Sequence, residues 1–136
     1  MPRPIRQHSK TGYMHVMIRG LTRQIIFNED QDAKFMLRQL FKLANKYNII
    51  IVCYCLMINH AHFLLIDKEN NISNFMRVFC GKYSQYYNKK YERCGTLFQR
   101  PFKSKPIEND AYLLSAYRYI LNNTAKDGFC SPQEYK

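Results

Sequence analysis

Ile49-Ile50-Ile51-Val52-Cys53-Tyr54-Cys55-Leu56-Met57-Ile58-Asn59-His60-Ala61-His62-Phe63-Leu64-Leu65-Ile66 reads as two strands and the turn between them. Residues 49–57 are β-branched and apolar, which suits a central strand. Asn59 breaks the run and His60–Ile66 resumes it, so the two halves pair as a hairpin. Strand side chains alternate between faces. His60 and His62 therefore share one face, while Ala61 and Phe63 turn to the other, toward a core.

Outward from the hairpin, the patterns are those of a small mixed fold. On the N-terminal side, Tyr13–Arg19 reads as a strand ending at Gly20, with a second short extended piece at 25–27. Asn28 or Asp30 caps a helix to about residue 47, its core face formed by Phe35, Leu37, Leu40, Phe41 and Ala44. On the C-terminal side, Asn71 or Ser73 starts a helix reaching about residue 91, and Cys94-Gly95 marks a turn. Residues 97–107 look irregular and basic, with Pro101 and Pro106 limiting ladder pairing. Asp110 opens a last helix through about residue 123, and Gly128 stands where a stop is expected. The order β-β-α-β-β-α-loop-α predicts an α+β sandwich, one mainly antiparallel sheet with helices packed on it.

The 136 residues suit one domain, and 46% hydrophobic content permits a packed core. The expected organisation is a basic arm at 1–12, a single domain at 13–128 and a tail at 129–136. No apolar run reaches the roughly 18 residues of a membrane span, so no membrane partner is expected. Residues 1–10 are basic and polar, unlike a secretory signal, so the expected location is cytoplasmic. Five cysteines, an odd number without a C-x-x-C pair, indicate neither a disulfide framework nor a zinc knuckle. Cys53 and Cys55, inside the apolar run, read as small buried hydrophobes.

Charge narrows the partner. Lys and Arg number 21 against 10 Asp and Glu, a net charge of +11. Such a surplus favours a polyanion, because each neutralised phosphate releases a condensed counterion. With 11 Tyr and 9 Phe, several beside cations, the chain carries rings that can stack on unpaired bases, although most are expected in the core. Arg19, Arg23, Arg100, Lys103 and Lys105 are the candidate phosphate track.

Two features can carry chemistry. Two imidazoles two residues apart on one strand face can chelate a metal; the plainer alternative is a pair of hydrogen-bonding strand histidines. In the last helix, Tyr119 and Asn123 lie four apart and share a face, Tyr112 lies two turns back on it, and Tyr117 is about 200° away. A tyrosine hydroxyl beside an amide oxygen suits a nucleophile and a further metal ligand. Tyrosines at this spacing also commonly fill cores.

The segment Cys53-Tyr54-Cys55-Leu56-Met57-Ile58-Asn59-His60-Ala61-His62-Phe63-Leu64-Leu65-Ile66 resembles the His-hydrophobic-His segment of the single-tyrosine HUH transposases, in particular the branch associated with repetitive extragenic palindromes. Three further blocks match that family in order. They are Tyr13-Met14-His15-Val16-Met17-Ile18-Arg19-Gly20, Gly95-Thr96-Leu97-Phe98-Gln99 with Phe102-Lys103-Ser104, and Tyr112-Leu113-Leu114 followed by Arg118-Tyr119-Ile120. The resemblance spans residues 13–128. It implies a ferredoxin-like, RNA-recognition-like sandwich. It also implies Tyr119 as nucleophile, His60, His62 and Asn123 as ligands of a divalent cation (Mg2+ or Mn2+), and single-stranded DNA with a hairpin as substrate. The implied reaction cuts one strand, holds it as a 5′-phosphotyrosine and rejoins it to a 3′-hydroxyl, in a monomer or a homodimer. His15 matches the family's first strand, as a residue beside the site, a DNA contact or a structural histidine.

The chain departs from the family at Ile58, where Pro is usual, at Asn123-Thr124-Ala125, where Asn-Pro-Val is usual, and at Arg100-Pro101, where Gly-Arg is common. All the implied chemical residues remain in place. Two rival readings are a catalytically inactive, domesticated single-stranded nucleic-acid-binding module, and a metal hydrolase whose H-x-H pair activates water without Tyr119.

Overall fold

The computed structural model describes residues 11–107, 109–122 and 129–132. In chain order its elements are β1 (Tyr13–Arg19), α1 (Asp30–Lys46), β2 (Ile50–Met57), β3 (His60–Ile66), α2 (Ile72–Lys90), β4 (Lys103–Pro106), α3 (Asp110–Asn122) and β5 (Phe129–Pro132). The hairpin forms as its sequence reads, with β2 and β3 antiparallel across the turn at Ile58-Asn59 and a register shift between Ile51 and Cys53. The sheet order is β4-β1-β3-β2-β5, and every pairing is antiparallel. The run β1-α1-β2-β3-α2-β4 with strand order 4-1-3-2 is the ferredoxin-like sandwich; β5 and α3 are added to it.

Side-chain alternation divides the sheet into two faces. On one, Met14, Val16 and Ile18 of β1 and Ala61, Phe63 and Leu65 of β3 are buried under α1 and α2. Phe63 meets Phe79 of α2 edge to face at 5.6 Å between centroids, and Phe79 stacks on Phe75. Burying one such ring stabilises by about 1.5–3 kcal/mol. On the other face a smaller cluster of Cys53, Cys55 and Leu64 packs against Ala116 and Ile120 of α3. The thinner packing leaves part of this second face open.

The helices α1 and α2 are also tied by a buried carboxylate. Asp32, fully buried, accepts hydrogen bonds from Lys90 Nζ (2.7 Å), Tyr86 Oη (2.7 Å), Tyr91 Oη (2.6 Å) and the Asn28 N–H (3.0 Å). Burial alone would raise its pKa, but these donors outweigh it and hold the carboxyl at about 2. The folded-state value lies below the ordinary 3.8. The network's stabilisation is therefore present above about pH 4 and lost as pH falls from about 4 to about 2. Asp32→Ala leaves the Tyr86 and Tyr91 hydroxyls without this acceptor and Lys90 with Glu29 as its one remaining carboxylate (2.6 Å), and is expected to cost about 3 kcal/mol, read by urea unfolding at pH 7. A loss under about 0.5 kcal/mol, typical of a neutral surface change, would contradict this assignment.

Several expectations need correction. Residues 25–27 are not a strand. Ile26 and Phe27 are buried, and their N–H groups donate to Ile58 O at 2.8 and 3.3 Å. The carbonyls of Ile25 and Ile26 accept from Tyr87 Oη and Tyr83 Oη of α2, so the segment is held by side chains and by the hairpin turn. Residues 103–106, read as irregular, form β4; as an edge strand it tolerates Pro106. Residues 129–132, read as tail, pair with β2. Cys55 is disulfide-bonded rather than a simple hydrophobe, and the unread strand β5 sets Cys130 opposite it in register. On α1, Met36 and Leu43 are buried, whereas Phe35, Leu37 and Phe41 are half-buried. At the start of α2, Asp67 supplies the capping carboxylate, accepting the N–H groups of Asn71 (2.9 Å) and Ile72 (2.8 Å). Among the described residues, no helix is long and apolar enough to cross a membrane.

Candidate active site

The open face of the sheet gathers the histidines. Alternation from buried Ala61 and Phe63 sends His60 and His62 to the side of the sheet carrying α3. Antiparallel pairing sets Arg19 opposite His60 and Met17 opposite His62. His15, one diagonal step away on the same face, reaches His62: His15 Nε2 and His62 Nδ1 lie 3.1 Å apart. Beyond β1, Lys105 stands opposite His15 and Lys103 opposite Met17.

The last helix brings the tyrosine. Ala116 and Ile120 are buried against the sheet, and Tyr119 sits at the rim of that face, 54% exposed. Its ring lies 5.4 Å from His62 and 6.3 Å from His15, centroid to centroid, edge-on to both. Tyr112 instead lies under the Lys105 ammonium, 5.4 Å from its ring centroid, and Tyr117 is half-buried against the cluster beneath α3.

The electrostatics favour neutral imidazoles. Burial first, then the charges of His15, His60 and Arg19, push His62 down to about 4. Burial and the Lys105 ammonium also lower His15. At pH 7 His62 therefore offers a lone pair rather than a second proton. His60 Nδ1 lies 2.8 Å from Asn59 Oδ1; a carbonyl oxygen only accepts, so the His60 Nδ1–H donates to it. If His62 donates from Nδ1 to His15 Nε2, its own Nε2 is a lone-pair donor.

These two imidazoles fit a divalent cation by donor chemistry and shared face, their rings 5.2 Å apart. Among the described residues no group of three His, Cys, Asp or Glu side chains is arranged to hold a metal by itself. Asn123, the expected third ligand, lies outside the described residues. Of the expected phosphate contacts, Arg19, Lys103 and Lys105 lie along the histidine face. Arg23 sits exposed on the short turn Leu21–Arg23 after β1, and Arg100 lines a cavity against α2. The His15–His62 bond was not read from the sequence, because it depends on which strand neighbours β3.

Comparison with known proteins bears on the fold and the family. Among solved structures, a REP-associated tyrosine transposase bound to a REP hairpin is similar over 93% of this chain and 74% of its own, with a TM-score of 0.72 and 15% identity. A putative transposase from Deinococcus radiodurans R1 is similar over 89% of this chain and 97% of its own, with a TM-score of 0.60 and 16% identity. These likenesses share the ferredoxin-like fold. Among curated proteins, none matches the chain. The family model described as "Transposase IS200 like" matches residues 8–123, and the chain belongs to that family of transposases.

Proposed function

We propose that the protein is a metal-dependent single-strand DNA endonuclease and strand transferase that uses Tyr119 as nucleophile, His60, His62 and Asn123 as metal ligands, and hairpin-associated DNA as substrate. The observation that carries this reading is the exposed Tyr119 ring set 5.4 Å from His62 across an open, basic sheet face. A bound Mg2+ or Mn2+ would neutralise the non-bridging oxygens of a phosphodiester and so make phosphorus a better electrophile.

The residues then divide the work. His60 and His62 supply ring-nitrogen donors, and the contacts of His62 with His15 and of His60 with Asn59 orient the two rings. Arg19, Lys103 and Lys105 draw the backbone along the face by phosphate contacts. Tyr119 Oη attacks phosphorus and loses its proton; the P–O3′ bond breaks and the departing 3′-oxygen is protonated. The 5′-phosphate stays on the tyrosine. An incoming 3′-hydroxyl reverses the step, expelling the phenolate and re-forming a phosphodiester, so no nucleotide energy is consumed. A structural neighbour bound to a REP hairpin supports a hairpin-flanked strand as the substrate.

A denaturing gel of protein mixed with labelled hairpin-flanked single strand and Mn2+ tests the reading: a covalent protein–DNA band is expected. Binding without cleavage would make the protein a binding module, and cleavage without adduct would make water the nucleophile.

Affinity is expected to fall steeply with salt. Each phosphate contact to a single strand adds about 0.7 to the slope of log K against log salt. Lys103→Gln with Lys105→Gln should therefore flatten that slope by up to about 1.4, measured by fluorescence anisotropy. An unchanged slope would remove both lysines from the DNA track.

A further inference from the structure

A cavity of about 610 Å3 lies on the far side of the β1–β4 edge from the histidines, between α2 and residues 95–102. Its wall includes apolar Ile18, Met76, Leu97 and Phe98. Its polar lining includes Ser73, Asn74, Ser84 and Gln99. Arg77 and Arg100 also line it, and among the described residues no Asp or Glu does. Among the described residues neither guanidinium has an ion-pair or hydrogen-bond partner. Arg100 is close enough to the Cys80 thiol to act on it electrostatically, so its charge lies over the cavity.

A second, shallow cleft joins this cavity to the histidine face. It is lined by Met17, Arg19 and Lys103 from that face, and by Gln99, Pro101 and Phe102, which also line the cavity. A strand held at Arg19 and Lys103 would meet residues 99–102 next, which line both the cleft and the cavity.

We propose that this cavity is a nucleobase pocket: it takes one unpaired base of the bound strand, while Arg77 and Arg100 hold the phosphates beside it. Each feature answers a feature of a nucleotide. An apolar wall with a buried aromatic accepts a flat heterocycle. Hydroxyl and amide side chains can meet the base edge, which is all hydrogen-bond donors and acceptors. Unpaired guanidiniums without an acidic neighbour suit an anion. A neutral apolar ligand would leave both cations unused. The inference rests on the proposed DNA substrate, but it concerns a site apart from Tyr119 and the histidines.

Gly81 gives the test its handle. It lines the cavity from α2, and a Cβ built on it meets nothing within 4 Å. Leucine at that position would fill space rather than clash, and it is a better helix former than glycine. The probes are a fluorescein-labelled (dT)12 and a 12-mer of abasic tetrahydrofuran units with the same phosphates, bound in EDTA so that no cleavage occurs. The wild-type protein should bind (dT)12 at least about tenfold more tightly than the abasic strand, the effect of one stacked base. Gly81→Leu should bring that ratio close to one and leave the abasic affinity unchanged. Arg77→Gln should instead weaken both probes alike. Circular dichroism verifies that each variant folds; if Gly81→Leu does not, Ser84→Leu, which fills the same cavity from α2, replaces it. A ratio near one in the wild-type protein, or a ratio unchanged by filling the cavity, overturns the proposal. The covalent-adduct gel reads the transferase separately: an adduct with an unaltered ratio condemns the pocket alone, and no adduct with a collapsed ratio condemns the chemistry alone.

Discussion

His60→Ala and His62→Ala should each reduce strand cleavage by at least about 10²–10³-fold while leaving DNA affinity nearly intact. Charge stabilisation by a bound cation contributes several kcal/mol to such a reaction, and about 1.4 kcal/mol is a factor of ten in rate. Neither histidine carries the phosphate track, which belongs to Arg19, Lys103 and Lys105 on the neighbouring strands. His62 is 4% exposed and bonded to His15, so its alanine variant also needs a folding control. His60, half-buried at the strand end beside the turn, is the cleaner test. Titration of Mn2+ by electron paramagnetic resonance gives the matching physical readout: both variants should lose metal affinity, and EDTA should reproduce their loss of cleavage in the wild-type protein. Wild-type cutting by both single variants would remove the metal assignment.

Tyr119→Phe should abolish both cleavage and the covalent band, with unfolding and DNA affinity close to wild type. The change removes one oxygen from a ring that is 54% exposed and leaves the edge contacts to His15 and His62 available. Tyr112→Phe and Tyr117→Phe should still cut. Tyr112 lies seven residues earlier, about 10 Å along the helix axis, with its ring under Lys105. Tyr117 packs against the cluster that α3 buries. Efficient cleavage by Tyr119→Phe would transfer the nucleophile to water.

The parts of this fold that could be read from the sequence are those with a local cause. Tyr13–Arg19 and His60–Ile66 come out with their observed bounds, because alternation and a polar break define a strand without reference to its neighbours. The helices follow from apolar spacing over 13 to 19 residues. What was not legible depends on distant partners. β4 is four residues ending in proline, a strand only because β1 offers an edge, and β5 likewise depends on β2. Residues 25–27 read as an extended piece but join no strand, and the carbonyls of Ile25 and Ile26 are taken by tyrosine hydroxyls of α2.

The candidate site divides in the same way. The shared face of His60 and His62 is a property of one strand. That Tyr119 meets them depends on α3 crossing the sheet, which only the family resemblance implied. The His15–His62 bond needs the β1–β3 register, and the cavity beside α2 needs a loop folded against a helix; neither leaves a mark in residue spacing.

The most direct measurement of the central claim is peptide mapping by mass spectrometry of the protein trapped on hairpin-flanked single-stranded DNA, after digestion of both protein and DNA. The predicted result is a nucleotide 5′-phosphate mass on the peptide containing Tyr119, with fragment ions placing it on that residue and none on Tyr112 or Tyr117. A nucleotide on any other residue, or cleaved DNA with no modified peptide, would contradict the account.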